Sequence, residues 1–330
     1  MSNLELPFRS LAAVITGTSV LLIMNIVSVI GNILVCLAMY RNPNLRSTTN
    51  LYIIALAVSD LICATVEMPL ASAVFIIGKW DFGDALCQIQ GFVDLFASYV
   101  TPATMTLTAF NRYMRIVKTN HYNRVFSPLR SKIWLSCVWL FLSLYLLVGR
   151  LTGWNKFQFI PGYAVCSIAF FRNENRIIHY FLVFGILFVL PFFVGCFSYY
   201  KVFTKIKQHQ QNVASSLQNA SNGTGRISAK EINISRALGY VAAGFLFCWI
   251  PHWVFAFWKR FAPDTSPRIT ELLVTILLFM SATINPVIYA TTNPHFRKEF
   301  VKLLCWCNGE KIQPTKGRSS DEQQTASELN

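Results

Sequence analysis

Seven long apolar stretches run through this chain of 330 residues, at about 12–39, 50–77, 85–111, 133–152, 177–200, 237–258 and 270–291. A hydrocarbon core about 30 Å thick takes roughly 20 apolar residues in helical form. The stretches meet that length, and most are far too long to be strands of a soluble core. An apolar share of 54% against 13% charged residues also argues against a pair of ordinary soluble domains. The expected fold class is an all-α membrane protein, a seven-transmembrane helix bundle. The first stretch lacks the basic start and small-residue cleavage site of a secretory leader, so it reads as the first span.

Lysine and arginine set the orientation, because they concentrate in cytoplasmic loops. Most of the 29 fall on one side: Arg41 and Arg46, then Arg112 to Lys132, then Lys201 to Arg236, then Arg297 to Arg318. The amino end, residues 1–11, is expected outside. Residues 12–291 form the helix bundle, and residues 292–330 lie in the cytoplasm as a surface helix and tail. The net charge of +14 then describes a basic inner face. Such a face suits anionic lipid headgroups and a cytosolic protein surface, not nucleic acid.

That topology also sorts the cysteines. Cys87 and Cys166 fall on the oxidising outer side and are expected to form a disulfide. Cys36, Cys63, Cys137, Cys196 and Cys248 lie within spans, where a thiol behaves as a small apolar group. No metal-ligand spacing occurs. Residues 153–176 read as an outer loop and 208–229 as a polar inner loop. Three sequons, at Asn219, Asn222 and Asn233, fall on the inner side and read as chance matches.

Polar and proline residues inside the spans carry a family resemblance. Their order is Gly31-Asn32, Leu56-Ala57-Val58-Ser59-Asp60, Cys87, Asn111-Arg112-Tyr113, Trp139, Pro191 with Tyr199, Cys248-Trp249-Ile250-Pro251 and Asn285-Pro286-Val287-Ile288-Tyr289. In order and spacing these resemble the rhodopsin-like (class A) G-protein-coupled receptors. Within that family, Asn111 before Arg112, the run Trp80-Asp81-Phe82-Gly83 leading to Cys87-Gln88, and Phe296-Arg297-Lys298-Glu299 resemble melatonin-receptor-like members. Span seven departs from them with Asn-Pro in place of Asn-Ala. Span five departs too, with Leu187 where they carry an inward histidine.

The resemblance implies a two-state latch between Arg112 and Glu231, which opens span six 20 residues before Pro251. Tyr113, Tyr199, Asn285, Pro286 and Tyr289 complete the activation switch. Asn111 stands where the family commonly has Asp, so a loosened latch is expected. Asp60 reads as the only acid deep in span two, and a carboxylate at that depth needs partners or a cation. Asn32, Thr101, Ser281 and Asn285 are the residues the family places around it. There an allosteric sodium ion or a water-filled network is expected. Pro191, Pro251 and Pro286 each remove a backbone hydrogen bond and kink their helices.

Asp94 speaks most directly to the ligand. It lies seven residues after Cys87, about 10 Å along the helix at 1.5 Å per residue. In amine receptors the matching Asp pairs with a ligand ammonium. Ser98 follows one turn below, Trp249 is expected at the pocket floor, and His252, Trp253, Phe255, Phe257 and Phe279 line the rest. Val183, Phe184 and Leu187 stand where catecholamine receptors present serines, which favours a more apolar amine, an indole or a small peptide. Retinal is excluded as a cofactor, because span seven lacks the lysine an opsin needs and Phe279 takes its place.

The reading is therefore a receptor and not an enzyme, with a heterotrimeric G protein, arrestin and receptor kinases as partners. A melatonin-like or peptide receptor, or a transporter or channel, is the alternative. After span seven, Phe296, Phe300, Val301 and Leu304 oppose Arg297, Lys298 and Lys302, the pattern of a short amphipathic surface helix. Cys305 and Cys307 at its end are expected lipidation sites. Ser319, Ser320 and Thr325 offer phosphorylation sites.

Overall fold

The computed structural model describes residues 6, 10–218, 227–261 and 268–307. The tail serines and threonine, Asn219 and Asn222 lie outside these residues, as do the Phe257 and Cys307 side chains. Seven spans appear in sequence order. Span one is α1 (Leu11–Arg41) and span two is α2 (Thr48–Ile62) with α3 (Met68–Ile77). Span three is α4 (Gly83–Ile116), followed by the short α5 (Thr119–Val125) and by span four, α6 (Pro128–Leu151). Span five is α7 (Asn173–Val183) with α8 (Leu190–Gln218), span six is α9 (Ala229–Phe261), and span seven is α10 (Arg268–Thr292). The surface helix is α11 (Pro294–Cys307).

Several helices outrun their apolar cores because polar residues propagate a helix beyond the membrane at little cost. Helix α8 continues to Gln218, so the inner loop expected from residue 208 is helical over its first part. Six helices are long and apolar enough to cross a membrane by length and composition among the described residues. Helix α4 is not one of them. It is the central span, and the polar Thr101, Thr104, Thr108, Asn111 and Arg112 are buried against its neighbours. A helix enclosed by protein does not have to present an apolar surface.

Spans two and five are each interrupted by a π-helical turn, at Cys63–Glu67 and Phe184–Val189. Each turn ends just before a proline, Pro69 or Pro191. Proline has no N–H and its ring collides with the carbonyl four residues back, so one wide turn relieves the ladder. Pro102, Pro251 and Pro286 sit inside α4, α9 and α10.

The outer loop is not irregular throughout. Strands β1 (Lys156–Ile160) and β2 (Val165–Ala169) pair antiparallel, with Phe159 opposite Cys166. Ala164 at the turn has φ 57°. The disulfide Cys87–Cys166 joins β2 to the start of α4. Gln90 Oε1 accepts from the Cys166 amide at 2.9 Å, and Thr275 Oγ1 donates to the Tyr163 carbonyl at 3.2 Å. The hairpin is thus pinned to spans three and seven and caps one end of the bundle.

At the opposite end α11 packs on spans one and seven. Phe296, Phe300 and Leu303, at helical spacing, are its buried face, and Tyr289 stacks on Phe296 at 5.4 Å between centroids. This corrects the expected apolar stripe: Val301 and Leu304 are half exposed, and Leu303 takes their place inside.

Candidate functional site

A cavity of about 150 Å³ lies beneath the hairpin. Ser167 and Tyr163 roof it, Trp249 and Phe279 lie deeper, and Ser59, Asp60, Thr101 and Ser281 line the far end. Asp94, Ser98, His252 and Trp253 line it as the sequence anticipated. Phe255 is buried but does not line it. Its position, two residues beyond Trp253, turns it to another face of α9.

Asp94 is not alone in this cavity. Ser167 Oγ donates to its Oδ2, and the Glu67 carboxyl makes a hydrogen bond with it from span two. Glu67 is 4% exposed and also contacts the Cys63 thiol. Asp60 is therefore not the only acid deep in span two. Glu67 stands seven residues on, at the end of the π-helical turn, and an acid inside an apolar span was itself a readable signal. No lysine or arginine is among the residues lining the cavity.

A second feature missed in the sequence is His179. It is buried in α7, and its two ring nitrogens pair with Tyr99 OH at 2.9 Å and Tyr145 OH at 2.8 Å. One imidazole thereby joins spans three, four and five beside the cavity. Span five does supply an inward histidine, eight residues before Leu187, which instead lines an apolar cavity between spans three, five and six. On the hairpin, burial above all raises the Tyr163 phenol beyond its ordinary value, so its hydroxyl stays protonated.

Trp249 connects the cavity to the polar network below it. Its Nε1 donates to Ser281 Oγ at 3.3 Å, and Ser281 donates to the Leu278 carbonyl at 2.6 Å. Asn285 Nδ2 donates to Asp60 Oδ2 at 2.9 Å. Thr101 and Ser281 share the cavity wall with Asp60. Asn32 departs from the expected set: its amide nitrogen donates to Ser28 and to the Ala282 carbonyl, tying span one to span seven. A carboxylate and two hydroxyls facing one cavity are hard oxygen donors of the kind a sodium ion takes. Among the described residues, no group of three or more His, Cys, Asp or Glu is gathered for a metal.

At the α11 end, Arg112 is 1% exposed and donates through Nη1 to Glu231 Oε2 at 2.7 Å. Arg115 Nε reaches the other Glu231 oxygen at 3.4 Å. Arg112 Nη2 also donates to Asn111 Oδ1 at 3.3 Å, so Asn111 holds the arginine by a neutral bond where an acid would hold it by charge. Asn111 is itself fixed, accepting from Thr49 Oγ1 at 2.8 Å and donating to Tyr122 OH at 3.2 Å. Tyr113 is partly buried and stacks on Phe110, 6.3 Å between centroids, while Tyr199 lies near Arg112. Pro286 packs on Gly31 of span one, and the buried Tyr289 hydroxyl has no hydrogen-bond partner. Cys305, near the end of α11, is partly buried with a free thiol.

The family described as 7 transmembrane receptor (rhodopsin family) matches residues 31–289. The chain is 28% identical to the histamine H2 receptor of Homo sapiens over 308 residues, covering 90% of this chain and 81% of that protein. It is also 28% identical to the alpha-1A adrenergic receptor of Homo sapiens over 324 residues, covering 88% and 68%. The crystal structure of squid rhodopsin superposes with a TM-score of 0.76 at 22% identity, covering 92% of this chain and 91% of that one. That last likeness concerns the fold.

Proposed function

This chain belongs to the rhodopsin family of seven-transmembrane receptors, and we propose that it binds a small extracellular amine at Asp94 and activates a heterotrimeric G protein. It is a multi-pass membrane receptor and not an enzyme. The observation that carries the ligand reading is a partly buried carboxyl in a cavity that, among the described residues, is lined by no lysine or arginine. An acid in such a place is costly without a cationic partner, and an amine supplies one. His252, Trp253 and Phe279 add ring faces for the rest of the ligand. The relatives' names, histamine and adrenergic receptors, point to the same ligand chemistry.

In this reading the protein sits in the plasma membrane with residues 1–11 outside and residues 292–330 in the cytoplasm, as the basic inner loops support. Arg112, released from Glu231, meets the G protein, while arrestin and receptor kinases act on the tail. Trp249 and Ser281 transmit the ligand's presence to Asp60 and Asn285. Asp60, Thr101 and Ser281 would hold an allosteric sodium ion, which would neutralise the acid in the resting state. Cys305 and Cys307 would carry lipid that fixes α11 to the membrane.

Nucleotide release from purified G proteins, driven by a panel of biogenic amines, tests this reading. An amine should stimulate release by wild-type receptor, and Asp94→Asn should abolish that response. An agonist response that survives Asp94→Asn unchanged would remove the amine reading. Solute or ion flux without nucleotide release would favour a transporter or channel.

A further inference from the structure

Glu67 stands opposite Asp94, and among the described residues no lysine or arginine lines the cavity they share. Carboxylate oxygens only accept hydrogen bonds, so two carboxyls in contact need a donor between them, either a shared proton or a bound cation. Glu67 reaches Asp94 from the π-helical turn of span two and rests on Cys63, while Ser167 donates to Asp94 from the hairpin. Both acids line the cavity. A second observation at the same cavity also points to a ligand. The Trp253 side chain, 9% exposed, leaves Nε1 without a partner, and His252 Nδ1 is likewise unpaired. Unpaired buried polar atoms are rare, because each costs about 1–3 kcal/mol of lost solvation. The cavity therefore has acceptors on span two and span three, and the Trp253 indole that lines it from span six carries an unpaired N–H.

We propose that Glu67 and Asp94 together form a two-acid cation site that selects a cation with several N–H donors, a primary ammonium or an amidinium, over a quaternary ammonium. The inference rests on the reading of Asp94 as the ligand's counter-ion. A primary ammonium has three N–H donors and can give one to each carboxylate, taking the place of the bridging proton, which leaves to solvent. A quaternary ammonium has no N–H. It offers charge to one acid and leaves the pair without a bridging donor. The Trp253 N–H then takes an acceptor atom at the other end of the same ligand.

Thermal stability and binding of the purified full-length receptor test this with two probes, 2-phenylethylammonium and its N,N,N-trimethyl analogue. The wild type should bind the primary cation about tenfold more tightly or better, the scale of a charged hydrogen bond. Glu67→Gln should bring the ratio close to one while leaving both probes bound, and Glu67→Asp should restore part of the preference. An unliganded Tm of Glu67→Gln close to wild type shows that the variant folds; if it falls, the Glu67→Asp ratio decides. Equal affinities in the wild type, with both lost in Asp94→Asn, overturn the two-acid site and leave the Asp94 reading standing. Binding that survives Asp94→Asn, or no binding of either probe at millimolar concentration, overturns both.

Discussion

Arg112 and Glu231 are joined by a 2.7 Å hydrogen-bonded ion pair that bridges the α11-side ends of spans three and six. The arginine is enclosed and the carboxylate is a quarter exposed, so the pair is sheltered without being fully desolvated. A hydrogen bond to a charged group contributes about 1.5–3 kcal/mol. Removing it should tilt the balance between the closed and open bundle. Glu231→Ala should raise ligand-free nucleotide release severalfold, since 1–2 kcal/mol is roughly a factor of 5–30 in a two-state ratio. An unchanged basal rate in membranes with matched receptor levels would count against the latch.

Asn111→Asp places a charge where Arg112 Nη2 now meets a neutral oxygen at 3.3 Å. The Tyr122 hydroxyl, which accepts from Asn111 Nδ2, can turn and donate to the new carboxylate. Charge-assisted bonds are roughly twice as strong as neutral ones. Basal nucleotide release should therefore fall, and a higher agonist concentration should be needed for half-maximal response.

His179→Phe keeps a ring between Tyr99 and Tyr145 and removes both hydrogen bonds. The two phenols lose a common partner, at about 1 kcal/mol for each bond. A lower Tm and weaker agonist binding are expected, with ligand-free nucleotide release little changed, because the clasp lies at the hairpin end. A loss confined to basal release would place the effect at the wrong end of the bundle.

Gly31→Ala tests the contact of spans one and seven. A methyl at Gly31 would lie 2.7 Å from Pro286 Cβ, and the pyrrolidine ring cannot swing aside. Overpacking of this kind costs about 1–3 kcal/mol. The variant should melt several degrees lower and lose surface expression.

Sodium dependence tests Asp60. If an ion at Asp60 favours the resting state as proposed, raising sodium at constant ionic strength should lower agonist affinity in the wild type. Asp60→Asn should remove that sensitivity, measured by competition binding in sodium against a large organic cation.

The spans and the disulfide partners were legible because each leaves a local trace, an apolar run or a cysteine on the outer side, while the Arg112–Glu231 pairing was expected only from the family resemblance. Surface-helix packing was only partly legible, since Val301 and Leu304 are as apolar as Leu303 and helical phase alone separates them. Glu67 was legible as an acid within an apolar span, but its direction was not, because the π-helical turn separates it from Asp60. The His179 clasp was not legible, because it depends on how three separate spans turn toward one another. The π-helical turns shift that phase by a part-turn, and periodicity reckoned from an ideal helix misses them. Among the relatives, the histamine and adrenergic receptors accord with the likeness to amine receptors drawn from Asp94.

Strand β2 carries both the disulfide cysteine and, one residue on, the serine that donates to Asp94. On the amine reading, a ligand reaching the acid would sit beside this hydroxyl, on a strand that is covalently tethered to span three. Its arrival and departure would then be coupled to the hairpin. The dwell time of an agonist would then be a property of the hairpin as much as of the pocket, and two ligands of equal affinity would differ in how long they signal.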